Sequence, residues 1–293
     1  MEVSDHTIAT TLTALYLIGA REGPPSPRQK WQGIERTLRE ESPSLEEVER
    51  LLKSSGYWLE SGVLATPGVI AKAERLVRGG KVLTSNMESY PGRWLRVLGG
   101  LAPPALWLQG AFPLEEFFTV VGSRDTTPAA LKFAGEAGEE AVHRGFAVAS
   151  GGAYGCDRAA ARGAMRAVNA AGAGVKVVEI LPYGIELARV RNTIQVSLCA
   201  PREIFSGPAA MERNRLLYAL SDRSLVAAVR FKEGGTWRGA CECLRRRSST
   251  ILVRDDGSEG VRALQGLGAV PVRTIEDVFE VEAEELRPVL GMF

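Results

Sequence analysis

Metal-holding side chains are scarce in this chain: 293 residues contain two histidines, His6 and His143, and four cysteines. Cys241 and Cys243 form a C-x-C pair, which is neither a zinc nor a redox spacing, and Cys156 and Cys199 stand alone. Transition-metal sites draw on clusters of these residue types, so no metal and no cofactor is expected. The cysteines are expected to be reduced. Net charge is lacking too, at +1. Global basicity is thereby excluded, and a nucleic-acid partner would have to be met by a local patch. No apolar run approaches the ~20 residues that span a bilayer, and residues 1–5 carry no basic flank leading into a signal core. The expectation is a cytoplasmic protein with no membrane partner. Fixed-period repeats and low-complexity tracts are absent.

The N-terminal part reads as helix. Residues 8–18 are apolar and Thr-rich and end in the breaker cluster Arg21-Glu22-Gly23-Pro24-Pro25-Ser26-Pro27. Trp31, Ile34 and Leu38 have helical spacing. Ser44 followed by Glu47 is a capping-box pattern opening a helix through Val48, Leu51 and Leu52, which Gly56 can end. A further short helix is expected over 67–77, stopped by Gly79-Gly80. Residues 1–80 thus read as a small helical domain.

From Lys81 onward the pattern changes. Short apolar runs at 105–108, 117–121, 146–149, 175–181, 203–205, 224–229, 250–253 and 269–272 alternate with amphipathic stretches at 128–143, 157–171, 211–221, 236–246 and 259–267. Continuous apolar strands between helices imply a parallel sheet covered on both faces. Residues 81–293 therefore read as an α/β domain with a doubly wound, mostly parallel, Rossmann-like sheet. In such sheets ligands sit at the C-terminal strand ends, so the turns after the strands are the places to look.

Four of those turns have unusual sequence. After 117–121 comes Gly122-Ser123-Arg124-Asp125, then Thr127-Pro128 opening a helix. Gly122 permits a tight turn, and Ser123, free helix-start amides and Arg124 suit an anion; a plain capped turn with a solvated Arg has the same sequence. After 146–149 comes Ser150-Gly151-Gly152-Ala153-Tyr154-Gly155-Cys156-Asp157, whose glycines allow a concave nest of amides. It is neither G-x-G-x-x-G nor a Walker loop, and capping of the following helix is the plainer role for Asp157. Arg213-Asn214-Arg215 is read at the start of a helix, where cations oppose the macrodipole unless an anion lies between them. After 224–229 come Gly234, Gly235 and Thr236, a glycine pair with a hydroxyl cap, followed by Trp237 as a packing or base-stacking ring. From Arg202 to Arg247, ten cationic side chains face five acidic ones, so the neutral chain is locally basic as a phosphate-binding face requires.

The order of these motifs resembles the DprA/Smf family, DNA-processing protein A. The resemblance rests on Val121-Gly122-Ser123-Arg124, on Ser150-Gly151-Gly152-Ala153 with Gly155 and Asp157, and on Arg213-Asn214-Arg215 with Leu220-Ser221-Asp222. Upstream, Tyr90-Pro91, Leu95, Pro103-Pro104, Leu106-Trp107 and Gly110 look like the family's lead-in, so the likeness covers 81–272. It implies a non-catalytic protein that binds single-stranded DNA in a basic pocket, forms a homodimer, and helps load a RecA-type recombinase in natural transformation. Ser123, Arg124, Gly152 and Arg215 would contact phosphate. A homodimer would also cover a sheet edge at 269–272. The chain departs from the family at Pro182-Tyr183-Gly184-Ile185, at Tyr154 where many relatives carry Arg, and at Gly234-Gly235-Thr236-Trp237. With the last strand close to Phe293, the winged-helix tail of many members is not expected.

Two other classes share this superfamily pattern. LOG-type phosphoribohydrolases use a glycine-rich loop with a downstream Glu; here Gly234-Gly235-Thr236 precedes Glu242. Glu242 lies about two helical turns beyond the loop by simple rise per residue, too far to reach a sugar bound there. A mononucleotide sensor is the other alternative.

Overall fold

A computed structural model describes residues 5–19, 37–38, 43–54, 63–172, 174, 176–189 and 192–282. It divides into two compact units, one built from residues 1–112, 181–190 and 195–209, the other from 113–180, 191–194 and 210–293. No helix among the described residues is long and apolar enough to cross a membrane.

In the first unit α1 (Asp5–Gly19), α2 (Leu45–Ser54) and α3 (Pro67–Arg78) form the helical part. The capping box is present: Ser44 N–H donates to Glu47 Oε2 at 2.8 Å, and Glu47 N–H donates to Ser44 Oγ at 3.3 Å. Most of the expected helix around Trp31, and Gly56, lie outside the described residues. Leu12, Leu38, Leu52, Leu64 and Ala73 bury against Val82 of β1 (Val82–Thr84) and Trp107 of β2 (Ala105–Gln109). Between these strands α4 (Gly92–Leu98) buries Trp94, with Tyr90 edge-on at 5.5 Å and Phe112 at 6.0 Å. β2 pairs antiparallel with both β1 and β6 (Ile194–Ser197).

The expected strand at 203–205 is not formed. Its polar backbone closes turns instead: Glu203 N–H donates to Ala200 O, and Glu203 O accepts from Gly184. The strand is β6, whose alternating Ile194-Gln195-Val196-Ser197 carries the period-two signal.

In the second unit β3 (Phe117–Val121), β4 (Ala147–Ser150), β5 (Val177–Leu181), β7 (Arg223–Val226), β8 (Thr250–Arg254) and β9 (Val270–Val272) lie in the order β5-β4-β3-β7-β8-β9. Every pairing is parallel. The chain starts in the middle, runs outward to β5, then returns to β7 and runs the other way; this is the doubly wound Rossmann order, and its switch point lies between β3 and β7. β9 is an edge strand of three residues with Pro271 in it. Pro offers no N–H, so this edge is partly blunted.

The two faces of this sheet differ. Phe118, Val120, Leu225 and Leu252 bury against α5 (Pro128–His143), α6 (Cys156–Ala171) and α10 (Ile275–Glu280). α5 and α6 meet through small residues, because a Cβ at Gly138 or Gly163 would overlap the facing helix backbone. On the opposite face Thr119 donates to Leu217 O of α7 (Gly207–Leu220) at 3.0 Å, and Ser221 Oγ donates to Thr119 Oγ1 at 2.7 Å. Ser224 extends the hydroxyl chain from Ser221 to Ser249, so this buried polar seam is hydrogen-bonded along its length. α8 (Gly234–Arg246) and α9 (Glu259–Gly266) complete the unit.

Candidate nucleic-acid interface

The turns after β3, β4 and β7 open at the C-terminal rim of the parallel strands, on either side of the switch point. What draws them together is Asp157. Its carboxylate is 4% exposed and accepts from Gly122 N–H at 3.3 Å and Gly151 N–H at 3.0 Å, and Ala153 N–H adds a third bond. Burial pushes this carboxyl up to about 6, against the Arg213 charge and the three backbone donors. Asp157 therefore does not cap its own helix; it fastens the β3 turn to the β4 turn.

Arg213 continues the chain of contacts. Its Nη1 donates to Gly151 O and to Ile180 O at 3.1 Å, and its Nε donates to Asn214 Oδ1 at 3.0 Å. Asn214 Nδ2 then donates to Gly235 O at 3.1 Å. The segments around Gly122, Gly151, Asn214 and Gly235 are thus brought together in space. Ser123 N–H donates to Ala228 O at 3.0 Å, tying the β3 turn to the segment after β7. Ser150 is fully buried, and its Oγ accepts a long 3.4 Å bond from Gly152 N–H.

Several expectations about α7 and α8 are corrected. α7 begins at Gly207, not near Met211, because Ser206 Oγ accepts from Ala209 N–H and Pro208 sits in the first turn. Arg213, Asn214 and Arg215 consequently lie inside the helix, and the argument that they oppose its macrodipole does not apply. α8 begins at Gly234 with Glu233 as N-cap, so Thr236 is an early helical residue and not the cap.

The arginines separate by environment. Arg213 is 7% exposed and internal. Arg215 donates to Glu212 at 2.7 Å and to Glu242 at 2.8 Å; burial works against its charge, but the two carboxylates hold it protonated. Burial likewise pushes the Glu242 carboxyl up, yet Arg215 and Arg246 bring it below its ordinary value. Arg124 by contrast is exposed and has no ion pair among the described residues. The apparent basic surplus of 202–247 is largely spent internally, since Arg202, Arg230 and Arg246 are paired with Glu186, Asp125 and Glu242. Lys232, Arg238, Arg245 and Arg247 are exposed.

Three features escaped sequence reasoning. Arg254 at the end of β8 donates to Ala227 O at 2.9 Å, and only its position at a C-terminal strand end signalled it. The Asp125–Arg230 pair joins two turns far apart in sequence. Arg158 lies over the ring of Tyr154, its guanidinium carbon 3.5 Å from the centroid. Cys156, beside Asp157, is pushed up to about 12 by burial and then by the Asp157 charge, so it stays a thiol. Trp237 packs edge-on against Phe231 at 5.2 Å.

The fold and rim define a Rossmann-type α/β protein with glycine-rich turns at the C-terminal ends of its parallel strands. Residues 81–282 match the family DNA recombination-mediator protein A, and the chain belongs to that family. Its fold is similar to that of DNA processing protein A from Streptococcus pneumoniae, with a TM-score of 0.66 and 18% identity over 95% of this chain and 98% of that one. It is also similar to DNA processing protein A from Helicobacter pylori, with a TM-score of 0.55 and 20% identity over 67% of this chain and 93% of that one. The work on the latter describes a single-stranded DNA binding mode of that protein. No curated protein matches the chain in sequence.

Proposed function

We propose that this chain binds the phosphates of single-stranded DNA at the rim formed by the turns after β3 and β4 and the start of α8. One observation carries the reading. Asp157 consumes backbone donors on the inner side of the two glycine turns, holding them together while Arg124 stays exposed on the outer side. Ser123, Arg124, the backbone at Gly152, and Gly235 with Thr236 form the contact surface, while the Gly151 N–H is already given to Asp157. Asp157, Arg213 and Asn214 support it from below, and Arg215 is committed to carboxylates. Gly122 and Ser150 shape the turns.

The family membership supports a cytoplasmic role in recombination, in which a homodimer passes the bound strand to a RecA-type recombinase. We assign strand binding to residues 81–293; the helices within 1–80 share their core with β1 and β2. The test is oligonucleotide binding as a function of salt. The expected result is tight binding of an oligothymidylate, weaker binding of a duplex, and a steep negative slope of log affinity against log salt. Binding of a mononucleotide without any binding of oligonucleotides would overturn the proposal and favour a nucleotide sensor.

A further inference from the structure

Two helices that pack together on one face of the parallel sheet, α5 and α6, differ in how their cations are matched. Along α5 and at its end each cation has an acid on the same helix: Lys132 pairs with Glu136 at 3.6 Å, and Arg144 with Glu140 at 2.7 Å. α6 carries Arg158, Arg162 and Arg166 with a single acid, Asp157. Asp157 is buried and accepts from Gly122 and Gly151, so it neutralises nothing on the outer side of the helix. Arg166 reaches across to Glu139 of α5 at 2.7 Å. Arg158 and Arg162 have no hydrogen bond and no ion pair among the described residues.

For the helix alone this placement is unfavourable. Residues 158 and 162 are four apart, so they share one side of α6, and both lie in its first two turns. Cations there oppose the macrodipole, whereas Arg245 and Arg246 in the last turn of α8 complement theirs. An anion on the outer side of α6 would reverse the penalty.

The side chains are disposed to receive one. Arg158 holds its guanidinium carbon 3.5 Å from the centre of the Tyr154 ring, and its Nε is buried without a hydrogen-bond partner. Stacking occupies the flat face of a guanidinium and leaves the in-plane donors of its terminal nitrogens for an acceptor. A cation held in this way loses less freedom when an anion arrives. Arg162 is exposed, and a long helical side chain covers the turn N-terminal to its own Cα, so Arg162 reaches toward the start of α6. That start follows directly on the β4 turn. There a Cβ at Gly155 would come within 2.5 Å of Ser123 O and 2.7 Å of Arg124 O, so the backbones of the β3 and β4 turns touch.

We infer that Arg158 and Arg162 form a second phosphate-binding station, which takes the strand as it leaves the rim past the β4 turn and runs along α6. This inference rests on the single-strand proposal above and deepens it by giving the strand a direction. Toward β8 and β9, by contrast, Arg254 and Arg273 are each matched by an aspartate, Asp256 and Asp255.

The test measures binding of oligothymidylates of graded length to the full chain as a function of salt. The parent is compared with Arg162→Ala, Arg158→Ala combined with Arg162→Ala, Arg124→Ala and Arg245→Ala. Arg245 is exposed on a different helix, so its loss controls for the removal of one positive charge. On long strands Arg162→Ala should bind about 5- to 10-fold more weakly, between the worth of an exposed ion pair and that of a charge-assisted hydrogen bond. Its slope of log affinity against log salt should shrink by about 0.7, and that of the double variant by about twice as much. On the shortest strand that the parent binds, Arg162→Ala should match the parent while Arg124→Ala stays impaired. Arg245→Ala should follow the parent at every length. Arg162→Ala should melt at or above the parent, because alanine favours helix and a cation leaves the positive end.

Long-strand binding by Arg162→Ala with the parent's affinity and slope, beside an impaired Arg124→Ala, would overturn the inference and leave the single-strand proposal standing. An equal loss in Arg245→Ala would also overturn it, because net charge alone would then account for the effect. A loss of the same size on the shortest strand overturns the path along α6, since Arg162 would then belong to the rim itself. A parent protein that binds no oligonucleotide overturns the single-strand proposal and this inference together.

Discussion

Two arginine-bearing regions of the parallel unit have similar sequence character and opposite electrostatic states. In the β3 and β4 turns a buried acid, Asp157, accepts from backbone donors, and the cation Arg124 is left exposed. In α7 and α8 the acids Glu212 and Glu242 accept from Arg215 itself, and the cation is used up. Count of charges cannot separate these cases; what each carboxylate accepts from does. A carboxylate held by amides organises a loop for a ligand, whereas a carboxylate held by a guanidinium welds two helices.

The strongest way to break the contrast is to remove the acid that organises the turns. Asp157→Asn keeps the shape but replaces one acceptor oxygen with a donor, which opposes a backbone N–H and leaves Arg213 without its counter-charge. We expect a loss of about 3–5 kcal/mol in stability at neutral pH, the range for breaking a buried charge pair, measured by denaturant unfolding. The pH dependence has a definite sign. The folded carboxyl sits at about 6, above its ordinary 3.8, so between those values the folded chain binds more protons than the unfolded one. Its contribution to stability is therefore fully present below about pH 4 and is lost as pH rises through about 6. The gap between parent and Asp157→Asn should widen on acidification through that window. A gap that narrows would show that the amides and Arg213 outweigh burial.

The next test concerns the exposed cation. Arg124→Ala should weaken single-strand binding about tenfold or more, as a charge-assisted contact is worth roughly 1.5–3 kcal/mol. The slope of log affinity against log salt should shrink by about 0.7, the value for one phosphate contact on a single strand. Thermal stability should stay as in the parent, because the side chain is exposed. Equal binding and an unchanged slope would remove the β3 turn from the interface.

Why one region was more legible than the other is a matter of locality. Most strands and helices from residue 117 onward showed because apolar runs and caps are local signals, as at Thr127, whose side chain accepts from Ala130 N–H; β6 did not, and 203–205 formed turns in place of the expected strand. The convergence of the glycine turns was also readable, since parallel topology sends every such turn to one rim. The state of the arginines was not. The start of α7 was placed four residues late, although Ser206-Gly207-Pro208 held the signal, and this moved Arg213 and Arg215 to a helix end they do not occupy. The Arg215–Glu242 pair spans 27 positions and the Asp125–Arg230 pair 105, so neither leaves a trace in spacing. The hydroxyl seam of Thr119, Ser221, Ser224 and Ser249 was invisible for the same reason: each residue alone reads as an ordinary polar position in or near a strand.

The smallest expected effect is the one that sharpens the contrast most. Family likeness points to Arg215 as a phosphate contact, and its surroundings point the other way. Its side chain is 9% exposed and bonded to two carboxylates, so reaching a phosphate would require breaking both pairs and placing two acids beside an anion. Arg215→Ala alone would strand Glu212 and Glu242 and confuse a folding defect with a binding one. The double substitution Arg215→Gln with Glu242→Gln removes one charge of each sign and leaves amides that hydrogen-bond to each other. We expect its affinity for an oligothymidylate to stay within about twofold of the parent and its salt slope to be unaltered, since no phosphate contact is lost. A modest stability loss of about 1–3 kcal/mol should accompany it, because Glu212 keeps its charge in a partly buried place. A fall in affinity of the size expected for Arg124→Ala, together with a slope reduced by about 0.7, would instead make Arg215 a ligand residue that releases its carboxylates when the strand binds.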